Sequence, residues 1–160
     1  TNGEEQNKPH EWEALDFDGL KKALYDFTFD FMNKMKAQGT TPEFVSLGNE
    51  VQAGMLYPDG SCDNFAQLSE LFNTGYDAVK AVSPDSKVII HSAGAGDKDL
   101  YNWHCGNLFE IAVFTNGLAC PAMFITLVMI LHFFFNHLTG LVKINNDIKL
   151  TNVTIKKIAL

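Results

Sequence analysis

The chain has 160 residues, enough for one modest domain, and its 46% hydrophobic content is that of an ordinary globular protein. A net charge of −7 excludes a general nucleic-acid binder. All 12 basic residues are lysine, which excludes bidentate arginine clamps on phosphate or carboxylate groups.

The N-terminal residues 1–13 are polar, contain Pro9 and read as a loop. No signal-peptide layout is visible in them. Asp16 stands where a helix N-cap would, its carboxylate able to accept from free backbone N–H groups. Phe17, Leu20, Leu24, Phe27, Phe31 and Met35 follow at spacings of three and four, one apolar stripe of an amphipathic helix, with the aromatic members expected in the core. Gly39 is expected to end that helix. Phe44 to Leu47 reads as a buried strand, leading into Gly48-Asn49-Glu50.

Residues 51–62 are rich in Gly, Pro and Asp and predict a long loop. Asp63 is expected to cap a second helix carrying Phe65, Leu68, Leu71, Phe72, Val79 and Val82, closed by Ser83-Pro84-Asp85. Lys87 to His91 predicts a second strand, followed by a flexible stretch from Ser92 to Gly96. Helix, strand, helix, strand in this order implies a parallel sheet. Short helix-to-strand links and a long strand-to-helix loop suit a (β/α)8 barrel with chemistry at the strand C-termini, and suit a doubly wound sheet equally well.

Beyond residue 110 the character changes. Residues 1–110 carry a charge of −10, whereas residues 111–160 carry +3, with Asp147 as their one acid. No Asp, Glu or Lys lies between Glu110 and Lys143. Leu118–Leu138 is long and apolar enough for a transmembrane helix, with following lysines that favour a cytoplasmic C-terminus. Pro121 and Asn136 interrupt it, and the alternative is a stretch that is not evolved protein sequence. Residues 143–160 form a Lys- and Asn-rich tail.

Glu50 is the residue that carries candidate chemistry. A carboxyl just past a buried strand stands where a barrel opens, and glycosidases work with two carboxyl groups flanking the scissile bond. One protonates the leaving oxygen; in retaining enzymes the other attacks the anomeric carbon from about 5–5.5 Å away. Asn49 is placed to donate to a sugar hydroxyl, and His91 ends the next strand as a candidate sugar contact or a rim histidine held by the protein. Trp12 and Trp103 read as packing residues. Taken alone, an Asn-Glu pair after a strand is weak evidence and fits a solvated turn acid better. Cys62, Cys105 and Cys120 lack metal-ligand spacing and read as thiols, a Cys62–Cys105 disulfide being the alternative; His104, His132 and His137 show no ligand spacing either, so no metal and no cofactor is expected.

The longer string changes this balance. Thr41 to Gly60, TPEFVSLGNEVQAGMLYPDG, resembles the acid/base region of glycoside hydrolase family 53, in which GNE is followed by GMLWP and a glycine. Trp12 to Thr28 is similar to that family's third helix, Lys87 to His91 to its fifth strand, and Leu100 to Trp103 to the segment after that strand. The resemblance covers roughly residues 8–108, which it marks as the barrel portion, and ends before the apolar segment 109–142. It implies a fragment of a (β/α)8 TIM barrel, about helix 3 to strand 5, with an apolar C-terminal tail. It implies retaining hydrolysis of β-1,4-galactan or arabinogalactan outside the cell, with Glu50 as acid/base, Asn49 as a sugar contact and Tyr57 as the stacking aromatic. Tyr57 stands where the family has Trp, a smaller face for a sugar. The family's nucleophile has no match, since only Glu110 and Asp147 follow residue 108 as acids. A barrel needs about 250 residues, so the chain reads as incomplete. The alternative is a non-catalytic carbohydrate-binding or membrane-tethered remnant, whose galactan affinity would survive Glu50→Gln without release of reducing ends.

Overall fold

The computed structural model describes residues 5–93, 97–111 and 155–158. Asp16 caps the first helix as expected, its Oδ1 accepting from the Gly19 N–H at 2.8 Å. The helix α1 spans Phe17–Ala37. It ends in a Schellman arrangement: Gly39 N–H donates to Lys36 O, and Thr40 N–H donates to Met35 O, both at 3.0 Å. Gly39 has φ 75°, a left-handed conformation that costs glycine nothing and explains why it stands there.

The buried face of α1 differs from the expected stripe. Leu20, Leu24, Thr28, Met32 and Met35 are buried, whereas Phe27 is 41% exposed and Phe17 and Phe31 are partly exposed. The face is turned toward Thr28 and Met32, which leaves Phe27 at its margin. There it meets Trp12 edge-on, with ring centroids 6.1 Å apart.

The strand β1 spans Phe44–Leu47, and Val45, Ser46 and Leu47 are buried. The helix α2 spans Phe65–Val82 and buries all six apolar residues foreseen for it. Its cap is Asn64, not Asp63: Asn64 Oδ1 accepts from Gln67 N–H at 3.3 Å. Asp63 is instead drawn into a short turn, Cys62–Asn64, whose own cap is Ser61. The two helices pack on each other and on β1 through one core that includes Leu24, Leu47, Leu68, Leu71 and Phe72.

The strand β2 spans Lys87–Ile90 and pairs with β1 in parallel, Phe44 opposite Lys87 and Leu47 opposite Ile90. The helix-to-strand links are clamped together: Lys87 N–H donates to Glu43 O at 2.8 Å and Ser86 Oγ donates to Pro42 O at 2.7 Å. A helix α3, Lys98–Ile111, runs on past residue 108. Within the Lys- and Asn-rich tail, a strand β3, Ile155–Ile158, pairs in parallel with the other edge of β1. The sheet order is therefore β2–β1–β3.

The candidate span 118–138, Cys120, His132, His137 and Asp147 lie outside the described residues, as do positions 94–96 of the stretch after β2. Among the described residues, no helix is long and apolar enough to cross a membrane. Cys62 is a half-buried free thiol, and no Cys62–Cys105 disulfide exists.

Candidate active site

Parallel pairing with Leu47 opposite Ile90 brings the segments that leave β1 and β2 to the same end of the sheet. Residues 48–53 and 91–93 are laced together there. Val51 N–H donates to His91 O at 2.9 Å, and Ala93 N–H donates to Gln52 Oε1 at 2.9 Å. Asn49, Glu50 and His91, singled out from sequence, are thus neighbours at one rim.

Glu50 is partly exposed and has φ 54° and ψ 51°. That is the left-handed region, where the β-carbon crowds the following carbonyl at a cost of about 1–2 kcal/mol. Strain of this kind persists only where surrounding contacts impose it. Here the backbone on both sides of Glu50 is held. Its N–H points at His91 Nδ1 from 3.3 Å, and Gln6 Nε2 donates to Asn49 O at 2.9 Å and to Glu50 O at 3.4 Å.

His91 Nδ1 also lies 2.9 Å from Asn49 Oδ1. One ring nitrogen cannot donate to Oδ1 and accept from Glu50 N–H at once. The shorter contact makes Nδ1–H the donor to Asn49. The Asn49 carbonyl oxygen is then occupied by protein and its amide NH2 is turned away from His91. His91 is in this way a partner of Asn49 through its ring and of the Val51 N–H through its backbone oxygen.

The loop that carries Tyr57 is closed at its base by Met55 N–H donating to Gly60 O at 2.9 Å and by pairing of Gly54 with Ser61. Gly54 has φ 118°, and a β-carbon there would fall 2.1 Å from Gly60 O, so only glycine fits. Tyr57 is partly exposed, and its hydroxyl donates to Ala53 O at 2.8 Å. Burial raises the pKa of that hydroxyl.

An N-terminal strap, taken from sequence as a plain loop, is tied across this region. Tyr57 N–H donates to Gln6 O at 2.8 Å, Asn7 bridges Tyr57, and Lys8 Nζ meets Asp59 Oδ2 at 2.6 Å. The strap continues into a short turn, His10–Trp12, before α1. Sequence reasoning missed Gln6 and Gln52. Neither carries a titratable group, and their partners lie 41–44 residues away, so no local pattern marks them.

His104 on α3 is 1% exposed, and among the described residues neither ring nitrogen makes a hydrogen bond of normal geometry, with the Gln52 backbone a polar group that favours the charged ring. It lies beside Phe65 and Trp103, and burial lowers its pKa to about 4, so the ring is neutral. Trp103 meets Phe65 edge-on at 5.3 Å yet remains 44% exposed. Among the described residues, no group of three or more His, Cys, Asp or Glu side chains is gathered to hold a metal ion.

Residues 1–113 match the family model described as glycosyl hydrolase family 53. The arabinogalactan endo-β-1,4-galactanase of Thermothelomyces thermophilus is 35% identical over 107 residues, covering 66% of this chain and 32% of that protein. The arabinogalactan endo-β-1,4-galactanase A of Emericella nidulans is 32% identical over 97 residues, covering 59% and 28%. Among solved structures, the GH53 catalytic domain of Ignisphaera aggregans superimposes with a TM-score of 0.67 at 34% identity, covering 71% of this chain and 31% of that one. A fungal β-1,4-galactanase gives a TM-score of 0.65 at 33% identity, covering 69% and 34%. The chain spans about a third of the length of the relatives it matches.

Proposed function

Because this chain belongs to glycosyl hydrolase family 53, we propose that the protein it represents is a retaining endo-β-1,4-galactanase acting on galactan or arabinogalactan. The single observation that carries the reading is Glu50 itself. It is an acid in a strained left-handed conformation just past the C-terminal end of a parallel strand, with the carbonyls on both sides of it held by the Gln6 side chain from a distant segment. The named galactanase relatives and the two structural neighbours support it.

On this reading α1 to β2 form about helix 3 to strand 5 of a (β/α)8 barrel. Glu50 protonates the glycosidic oxygen as the bond breaks, then takes a proton from the water that releases the glycosyl-enzyme. Asn49, its Oδ1 held by His91, uses its free amide NH2 toward a sugar hydroxyl. Tyr57 offers a partly exposed ring to a sugar face. The nucleophilic carboxylate comes from a later strand of the complete barrel. A polymeric substrate is met outside the cell, so secretion belongs to the same reading.

The test uses the full-length protein on β-1,4-galactan, following the anomeric signals of fresh products by proton NMR. Retention is expected. Glu50→Ala should lose galactan hydrolysis and regain turnover on an aryl galactoside when azide is added, with a β-galactosyl azide as product. Inverted products, or Glu50→Ala with full galactan turnover, would rule the assignment out.

A further inference from the structure

We propose that Gln6 is a positioning residue for the Glu50 carboxyl, acting through the backbone on either side of it; this rests on the reading of Glu50 as the acid/base. The φ and ψ of Glu50 set the relative tilt of two peptide planes, those joining residues 49 to 50 and 50 to 51. Their carbonyl oxygens are Asn49 O and Glu50 O, and one atom, Gln6 Nε2, donates to both, at 2.9 and 3.4 Å. Holding both planes fixes the direction of the Glu50 Cα–Cβ bond, and with it the carboxyl. The opposite side is held by His91, whose backbone oxygen accepts from Val51 N–H at 2.9 Å.

The orientation of the Gln6 amide is set by its surroundings, since only the NH2 end can face two carbonyl oxygens. The other end has no partner among the described residues: Gln6 is 1% exposed, and its Oε1 is buried without a hydrogen bond there. A buried carbonyl left unpaired opposes folding. Side-chain burial alone would be served better by an apolar residue, so the donor is what this position uses. The strap makes the donor rigid, because Gln6 O accepts from Tyr57 N–H and the adjoining Lys8 is fastened to Asp59. Gln6 touches neither substrate nor reacting atoms in this scheme; it supplies pre-organisation.

Misplacing a catalytic group by about 1 Å costs about 100-fold in rate. The test compares kcat/KM, which reports bond breaking, on β-1,4-galactan and on a dinitrophenyl β-galactoside, whose leaving group departs without a proton. The variants are Gln6→Met, of similar length without a donor, and Gln6→Leu, shorter and also without a donor, in the full-length protein with thermal unfolding recorded alongside. Expected is a fall of about 10–100-fold on galactan in whichever variant folds, with the dinitrophenyl substrate within about threefold of wild type. Equal losses on the two substrates, or an unchanged rate on galactan, overturn the proposal. Glu50→Gln run beside them separates the two failures. If it is inactive on galactan while the Gln6 variants match wild type, only the role of Gln6 falls. If it is fully active, the reading of Glu50 falls and takes the proposal with it.

Discussion

The helix-packed body and the strand-end rim of this molecule are built on opposite rules. In the body, α1, α2 and β1 meet through Leu20, Leu24, Leu68, Leu71 and Phe72, with standard helix caps and a Schellman stop. At the rim, a glutamate is held left-handed, glutamine side chains reach across from distant segments, and Gln6 Oε1 is left unpaired. The body minimises local conflict, whereas the rim tolerates it and spends contacts to hold a geometry. Changes in the body should therefore move stability, and changes at the rim should move turnover.

The sharpest break on the body side is Phe72→Ala. Phe72 is 1% exposed in the centre of the core, and its removal should cost about 3–5 kcal/mol of unfolding free energy. Turnover per folded molecule should stay unchanged, as chemical denaturation with an active-site titration would show. A large drop in turnover per folded molecule would blur the division.

Next in size is acid sensitivity from His104. Its folded pKa lies at about 4, below the ordinary 6.5, because burial disfavours the charged ring. The unfolded chain takes up the proton below pH 6.5, and the folded chain only near pH 4. The contribution of neutral His104 is therefore complete above pH 6.5 and is lost as pH falls to about 4, by roughly 3 kcal/mol. His104→Leu should flatten that part of the stability–pH curve with little loss of stability at pH 7, since neither ring nitrogen makes a hydrogen bond of normal geometry among the described residues. An unaltered slope between pH 7 and 4 would show that the titrating group is another.

The smallest effect tests the rim's strain. Glu50→Gly should be more stable than Glu50→Ala by about 1 kcal/mol, because glycine adopts φ 54° without a β-carbon penalty. Equal unfolding midpoints would mean that residue 50 carries no strain in solution.

The same division explains what could be read from the sequence. Both expected helices and both expected strands are where apolar spacing puts them, because caps and periodicity are local. Misreadings arose where tertiary contacts choose between near-equal local options. Asn64 displaced Asp63 as cap once Ser61 opened a turn of its own. Phe27 lies at the margin of the buried face because packing turns that face toward Thr28 and Met32, and there it meets Trp12. The strand Ile155–Ile158 comes after an apolar stretch without alternation, and its partner lies across the chain in β1. The position of Glu50 and Asn49 past a strand end was legible because that signal is local, but it was the longer string from Thr41 to Gly60 that singled them out. The strap was not, since its hydrogen bonds to residues 49, 50 and 57 are invisible to any short window.

The most direct test of the central claim sets galactan turnover and unfolding free energy side by side for Glu50→Gln in the full-length protein. An acid/base role predicts a fall of about 10²–10⁴-fold in turnover, with stability within about 0.5 kcal/mol of wild type. Turnover near the wild-type rate in a folded Glu50→Gln protein would contradict it.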